Sequence, residues 1–457
     1  MHILLVAQNI NEQTNQELAT PFGLLCLIAY VKKHMGDTVC FTLVDGLSEI
    51  PDDRYDMAGI SSMSLYYPRA LALATRLKKE HGIPVILGGP HATHMHHVLD
   101  RVFDVAVIGE GEETFLELVR LLDAKGRYEP HDLALIKGIA YQEEGAFVST
   151  PPRPLIEPLD SLPFPDRSHW DLKGRIKWVI SSRGCPYGCI FCSIARSKYR
   201  QTSVDYFVEE VKYLKNTYHS DIIAVQDDLF CASKTRLAAV VEGLEREGLR
   251  GRVGFGVSMR ADLLDEESVK LLKAMKVLKV FVGAESGSEP ILQYYKDGKL
   301  SVAEIQHALD LCFEYDIKVE GSFIIGAPGE TAEDLMATYR FTFDNYKAGK
   351  LGFAAINILT PYPGSKVWEY AASRGLVSDT MDWTRLDLNL RNFDPYRCVY
   401  LNEKIPLVEF VDYLEIFEEL NAITTGAGLP NVKGKAWASR LDRERINKFK
   451  AEPAARE

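Results

Sequence analysis

Short apolar, β-branched runs alternate with amphipathic stretches in two separate blocks of this chain, and a proline-rich interval divides them. In the first block, residues 1–125, the runs Ile3-Leu4-Leu5-Val6, Cys40-Phe41-Thr42-Leu43-Val44, Ala58-Gly59-Ile60, Val85-Ile86-Leu87 and Val105-Ala106-Val107-Ile108 read as buried strands. Stretches 24–33, 68–80 and 112–122 read as helices between or after them. Such alternation predicts a doubly wound, Rossmann-like parallel sheet with ligand crevices at the C-terminal ends of its strands. From 126 to 176 the periodicity fades, and six prolines between Pro151 and Pro165 hold the backbone extended, which predicts a connector. In the second block, residues 177–375, six apolar runs at 178–180, 222–225, 253–257, 280–283, 318–325 and 353–359 are each followed by a helical pattern. Six such units fit a partial, TIM-type (β/α)6 barrel with its polar residues gathered at the C-terminal mouth. Residues 376–457 read as helical and charged, and Lys433, Lys435, Arg440, Arg443, Arg445, Lys448 and Lys450 form a basic tail expected to be solvated.

Composition narrows the class of function. A net charge of −11 argues against broad nucleic-acid binding, and 46% hydrophobic content suits a chain that buries a substantial core. No apolar run reaches the roughly 18 residues of a membrane span, and the N-terminus lacks the basic flank and cleavage site of a secretory signal, so neither a membrane nor secretion is expected. Cytoplasmic localisation follows as the expectation, and Cys26, Cys40, Cys231, Cys312 and Cys398 show no disulfide-framework spacing.

The second block opens on Arg183-Gly184-Cys185-Pro186-Tyr187-Gly188-Cys189-Ile190-Phe191-Cys192. Eight cysteines placed at random would produce this C-x3-C-x2-C spacing about 0.002 times per chain, so the spacing calls for a chemical reason. Three thiolates on one loop can bind three irons of a 4Fe-4S cluster and leave the fourth iron without a protein ligand. Structural zinc would want a fourth Cys or His in a paired knuckle, and none follows at such spacing.

With Phe191 as its aromatic, the motif resembles the C-x3-C-x-aromatic-C signature of the radical S-adenosylmethionine (radical SAM) superfamily. The resemblance implies Cys185, Cys189 and Cys192 as cluster ligands and S-adenosylmethionine on the open iron. It further implies one-electron cleavage of the sulfonium, a 5'-deoxyadenosyl radical that removes hydrogen from unactivated carbon, and a reductase, flavodoxin or ferredoxin as electron donor. Phe191 is expected beside the adenine ring. Strand ends of the second block match segments usual in this family. Gln226-Asp227-Asp228 follows the second strand, and Gln226, Asp227 and Asp228 are expected to orient cofactor or substrate. Arg260 after the third strand is expected to pair with the carboxylate of S-adenosylmethionine, and Glu285 and Ser286 of Gly283-Ala284-Glu285-Ser286-Gly287 to bind its ammonium or ribose. Ile325 and Gly326 after the fifth strand suit an adenine platform, and Cys231 is a candidate hydrogen-atom donor, with a buried structural thiol as the alternative.

The first block resembles the cobalamin-binding domain that precedes the barrel in a large branch of the same superfamily. Pro21-Phe22-Gly23-Leu24-Leu25, Gly59-Ile60-Ser61-Ser62-Met63-Ser64 with Tyr67-Pro68-Arg69-Ala70-Leu71, Gly88-Gly89-Pro90-His91-Ala92-Thr93 and Gly109-Glu110-Gly111-Glu112-Glu113-Thr114 carry the likeness. It implies that Ser61, Ser62, Ser64, Gly88, Gly89, His91 and Thr93 contact the corrinoid or its nucleotide tail. The D-x-H-x-x-G signature that gives cobalt a histidine ligand is absent, as is common in this branch. The paired architecture implies cobalamin-dependent C-methylation of a small molecule. The alternative is a cobalamin-free radical SAM dehydratase or rearrangement enzyme acting on a sugar or aminoglycoside, with a vestigial cobalamin-binding fold. A non-catalytic corrinoid carrier would leave the cysteine triad unexplained.

Overall fold

The computed structural model describes residues 1–8, 21–46, 48–170, 176–387, 394 and 397–425, so the basic tail lies outside the described residues. The chain divides into two compact units, Met1–Gly174 with Asp379–Thr384, and Arg175–Ser378 with Arg385–Glu457.

In the first unit, β1 (His2–Gln8), α1 (Phe22–Met35), β2 (Cys40–Asp45), β3 (Met57–Ser62), α2 (Tyr67–His81), β4 (Val85–Gly88), α3 (Pro90–Met95), β5 (Val105–Val107) and α4 (Glu112–Lys125) follow one another, all but the short α3 as the periodicity predicts. A one-turn α5 (Pro130–Leu133) leads to β6 (Ile139–Glu143) and β7 (Ala146–Ser149). The sheet order is β2-β1-β3-β4-β5-β6-β7, parallel through β5 and antiparallel from β5 to β7. β1 is completely buried from Ile3 onward, which is why its sequence runs apolar without alternation. Strand order reverses between β1 and β3, and open sheets of this kind bind ligands outside the strand ends at that switch point. The expected limit of the unit at residue 125 needs correction. Residues 139–149 are a hairpin on the sheet edge rather than connector, because Ile139, Ala140 and Tyr141 bury their side chains in the unit's core. Asp379–Thr384, assigned by sequence to the C-terminal region, packs with this unit as well.

The second unit begins with β8 (Ile176–Val179), and a two-residue ribbon, β9 (Ser182–Arg183) with β10 (Arg200–Gln201), closes the loop that carries the cysteines. The remaining elements are α6 (Val204–Tyr218), β11 (Ile222–Val225), α7 (Lys234–Arg246), β12 (Gly254–Met259), α8 (Glu266–Met275), β13 (Val277–Glu285), α9 (Glu289–Tyr295), α10 (Val302–Glu314), β14 (Lys318–Ile325), α11 (Ala332–Lys347), β15 (Phe353–Ile358), α12 (Lys366–Ser373) and α13 (Leu407–Thr425). β8, β11, β12, β13, β14 and β15 pair in that order, all parallel, with no pairing between β8 and β15, as a partial barrel requires. Side-chain oxygens of Ser203, Ser233, Asp265, Ser301, Thr331 and Ser365 cap the N-termini of α6, α7, α8, α10, α11 and α12. Each such cap is worth about 1 kcal/mol, and those of α6, α7, α8, α11 and α12 mark where five of the loops that leave strand ends at the barrel mouth stop.

Alternation along the barrel strands separates two environments. Val225, Phe255, Val257, Val280, Val282, Val319, Phe323 and Ile356 are buried with helix residues such as Phe207, Leu335, Phe410 and Phe417 in one hydrophobic core. On the opposite strand faces, Ala224, Ser258, Gly283, Ser322, Ala355 and Asn357 stay partly accessible, and Phe281 is 38% exposed. These small and polar side chains leave the barrel's inner face open.

Candidate active site

The cysteine loop leaves the C-terminal end of β8 and is held by its own backbone. Cys192 N donates to the Cys189 carbonyl at 3.2 Å, Arg196 N to the Tyr187 carbonyl at 2.8 Å, and Cys185 N to Ser197 Oγ at 2.8 Å. Gly184 adopts φ +83°, and a Cβ there would collide with the Lys198 carbonyl, so only glycine lets the loop fold back on itself. All three thiols are free and half-buried. They lie close enough to repel one another as thiolates. Burial first, then the other thiols, pushes Cys192 up to about 11 and raises Cys185 as well.

Other predicted residues gather here. Asp228 accepts from the Gly184 N–H, and its charge is felt by Cys185 and Cys192. It keeps solvent contact while crowded by protein atoms, as on the wall of a concavity, and that crowding raises its carboxyl. The Arg260 guanidinium lies 3.8 Å over the Tyr187 ring, with Nη1 4.0 Å from Cys189 Sγ. Phe191 meets Tyr295 edge to face at 5.9 Å, and Lys296 Nζ sits 5.8 Å from the Phe191 ring centre. Lys296 in turn donates to Glu285 Oε1 at 2.7 Å, a pair in which both side chains are at most 6% exposed. Glu285 folds back over Gly283, where a Cβ would overlap its carboxylate.

Several expected ligands have other work. Asp227 is buried and accepts from Ser181 N (2.7 Å), Ser181 Oγ (2.5 Å) and Ser182 N (3.1 Å), so it ties the end of β11 to the start of the cysteine loop rather than facing substrate. Burial nevertheless pushes its carboxyl up to about 7, against hydrogen bonds that favour the charged form. Cys231 sits in the barrel's hydrophobic core and donates to the Ser233 carbonyl at 3.0 Å, the structural alternative, because a thiol is small and apolar enough to pack there. Ser286 Oγ pairs with Thr338 Oγ1 at 2.9 Å and accepts from Ser288 N, fastening β13 to α11. Ile325 is fully buried among core residues, on the strand face opposite Ile324. Gly326 donates its N–H to the buried Glu330, which also accepts from Ala327 N and is pushed up to about 8 by burial. Gln226 stands exposed at the end of β11.

In the first unit, Ser61, Gly88, Gly89 and Thr93 remain partly accessible at the C-terminal ends of β3 and β4. Thr93 Oγ1 also accepts from Gly109 N at 3.1 Å, linking the ends of β4 and β5. Ser62 Oγ donates to the Met63 carbonyl, and Ser64 Oγ bonds His91 Nδ1 at 3.0 Å, both in buried settings. His91 is 1% exposed, stacked on Tyr67 at 4.0 Å and edge-on to Trp383 at 4.9 Å. That enclosure makes His91 a wall of the unit rather than a surface contact, and burial holds its ring down to about 3.

Comparisons with known proteins place both units in known families. The Radical SAM superfamily model matches residues 179–342, and the B12 binding domain model matches residues 16–119. The uncharacterized methyltransferase PH0819 of Pyrococcus horikoshii is 32% identical over 414 residues, covering 84% of this chain and 86% of that protein. The chain belongs to the radical SAM superfamily. The anaerobic magnesium-protoporphyrin IX monomethyl ester cyclase of Cereibacter sphaeroides is 29% identical over 62% of this radical SAM chain and 48% of its own length, so the chain spans about half of that relative. Among solved structures, the radical S-adenosylmethionine methyltransferase TsrM of Kitasatospora setae, determined with cobalamin and a 4Fe-4S cluster, superposes with a TM-score of 0.68 at 19% identity, over 98% of this chain and 99% of that one. That likeness establishes the fold of the radical SAM chain over its length.

The donor set fits a cluster. Among the described residues no three His, Cys, Asp or Glu side chains converge on a single-ion position. A cubane asks for something different, one thiolate on each of three irons, and three free thiols on one loop supply that. Sequence reasoning missed Tyr187, Lys296, Trp383 and Asp262, whose carboxylate accepts from Arg260. Tyr187 lay inside the motif and Asp262 two residues past Arg260, whereas Lys296 and Trp383 are brought in by tertiary packing alone.

Proposed function

We propose that this enzyme performs cobalamin-dependent methylation of an unactivated carbon in a small molecule. The observation that carries the reading is the presence, in one chain, of the open cysteine loop on a parallel barrel and a B12 binding domain whose sheet reverses order at β1 and β3. A relative matched over 86% of its length and a full-length structural neighbour are both named methyltransferases, which supports methylation over the cobalamin-free dehydratase alternative. When bound, the cluster, S-adenosylmethionine and cobalamin supply a 5'-deoxyadenosyl radical and a transferable methyl group.

The chain's own residues bind and orient. Cys185, Cys189 and Cys192 offer three thiolates, and Asp228 places a carboxyl beside them for a cationic or hydroxylated group. Phe191 gives an apolar face at the loop, and Lys296 fixes the direction of the Glu285 carboxyl through a 2.7 Å hydrogen bond. The open inner face at Ser258, Phe281, Ser322 and Asn357 provides room for an amphipathic small substrate. Ser61, Gly88 and Gly89 are the open backbone ends that corrinoid binding would use. A reduced flavodoxin, ferredoxin or reductase is the electron donor in this reading, and the cytoplasm the compartment. Among the described residues, no helix is long and apolar enough to cross a membrane.

Anaerobically reconstituted protein given dithionite and S-adenosylmethionine is expected to release 5'-deoxyadenosine, and a Cys185→Ala, Cys189→Ala, Cys192→Ala variant to release none. After loading with hydroxocobalamin and gel filtration, corrinoid absorbance should stay with the protein. Absorbance lost entirely in the void volume would remove methyl transfer through cobalamin and leave the cobalamin-free alternative.

A further inference from the structure

Arg260 is already paired with a carboxylate of the chain itself. Its Nε donates to Asp262 Oδ1 at 2.9 Å, and its Nη2 donates to Asp262 Oδ2 at 3.1 Å and to the Lys299 carbonyl at 3.0 Å. The guanidinium plane rests on Tyr187, between Cys185 and Cys189, and the remaining group, Nη1, points at Cys189 Sγ. The residue is 8% exposed, so water screens its charge little. With the Nε/Nη2 edge on Asp262, Nη2 also on a carbonyl and one face stacked, Nη1 is the group with no oxygen partner among these contacts, and its contact is a cysteine sulfur of the loop.

The geometry points to Arg260 as a positioning residue that sets the reduction potential of the cluster through an N–H···S contact to Cys189, with Asp262 as its counterweight. This rests on the reading that the three cysteines hold a 4Fe-4S cluster. Reduction adds one negative charge to the cluster, and a guanidinium at the thiolate stabilises the reduced form more than the oxidised one. Hydrogen bonds and charge around cluster sulfurs are the levers by which proteins tune such potentials. Asp262 offsets part of the positive charge, so the two side chains should pull the potential in opposite directions. The assignment also explains Tyr187, which holds the guanidinium plane in place by cation–π contact from within the cysteine motif itself.

The test is a redox titration of the anaerobically reconstituted full-length chain, followed by electron paramagnetic resonance, with iron and sulfide measured on every sample. Arg260→Gln, with cluster content unchanged, is expected to shift the midpoint to a lower potential, and Asp262→Asn to shift it higher. Opposite signs are the signature, because simple loosening of the loop would move both variants the same way. An unchanged midpoint in Arg260→Gln with an intact cluster, or shifts of the same sign in the two variants, overturns the proposal. Loss of S-adenosylmethionine binding at an unchanged midpoint would return Arg260 to the carboxylate. Should Arg260→Gln assemble no cluster, Asp262→Asn decides alone, an upward shift supporting the proposal and any other result overturning it. A wild-type chain that takes up no iron or sulfide fails the cluster reading itself, and the proposal falls with it.

Discussion

Lys296 and Glu285 show what one residue can hold in place. Two charges taken out of water are costly, and their attraction repays the cost only while both partners remain. Glu285 sits at φ +59°, an unusual backbone position for a residue with a side chain, and its carboxylate is aimed by Lys296 from the C-terminal end of α9. Lys296→Met should therefore cost about 3–5 kcal/mol in urea denaturation, because it strands a buried carboxylate. The double variant Lys296→Met, Glu285→Leu should recover much of that loss. If the double variant is as unstable as the single one, the damage comes from packing around α9 and not from an unpaired charge.

At the scale of elements, the barrel works because each strand delivers its last residues to one rim. Asp227 makes that delivery rigid by pinning the tip of β11 to Ser181 and Ser182, just before the cysteines. Asp227→Asn can leave Oδ1 on the two backbone N–H groups, but it puts an amide donor where Oδ2 accepts from Ser181 Oγ, so that hydroxyl must turn from donor to acceptor. A loss of about 1–3 kcal/mol in chemical denaturation is expected, together with lower iron uptake on reconstitution. Normal iron uptake at normal stability would show that the loop needs no such pin. The elements themselves were legible in the sequence, since uninterrupted apolar runs announce strands of a parallel sheet and amphipathic stretches announce the helices between them. The cysteine loop was legible for the same local reason, its residues being neighbours in the chain. Hairpin β6–β7 was not, because Ala146-Phe147-Val148-Ser149 is short and buries none of its residues, and its strand character comes from pairing with β6. Nor could sequence separate Asp227 from Asp228. Adjacent residues share a motif, but alternation along the chain sends one carboxyl into the protein and leaves the other at the rim.

Over the whole molecule, chain order and packing part company at Asp379–Thr384, which follows the barrel in sequence yet packs with the first unit. Trp383 closes the edge of His91 while Tyr67 covers its face, and His97 pairs with Asp379 at 3.2 Å. Burial lowers His91 from its ordinary value near 6.5 to about 3, so the folded first unit favours the neutral ring. The sign follows from linkage. The unfolded chain takes up a proton below pH 6.5 that the folded unit refuses, so this contribution is fully present above 6.5 and drains away as pH falls toward 3. The slope is at most about 1.4 kcal/mol per pH unit. Trp383→Ala should cost about 3–5 kcal/mol through lost packing. By admitting water to the ring it should also raise the folded pKa of His91, which flattens the same acid slope. Histidine ring resonances followed by nuclear magnetic resonance in the full-length chain between pH 7 and 4 would show both effects. A His91 that titrates identically with and without Trp383 would mean that Tyr67 and Ser64 seal the ring unaided, and that the returning segment leaves its ionisation untouched.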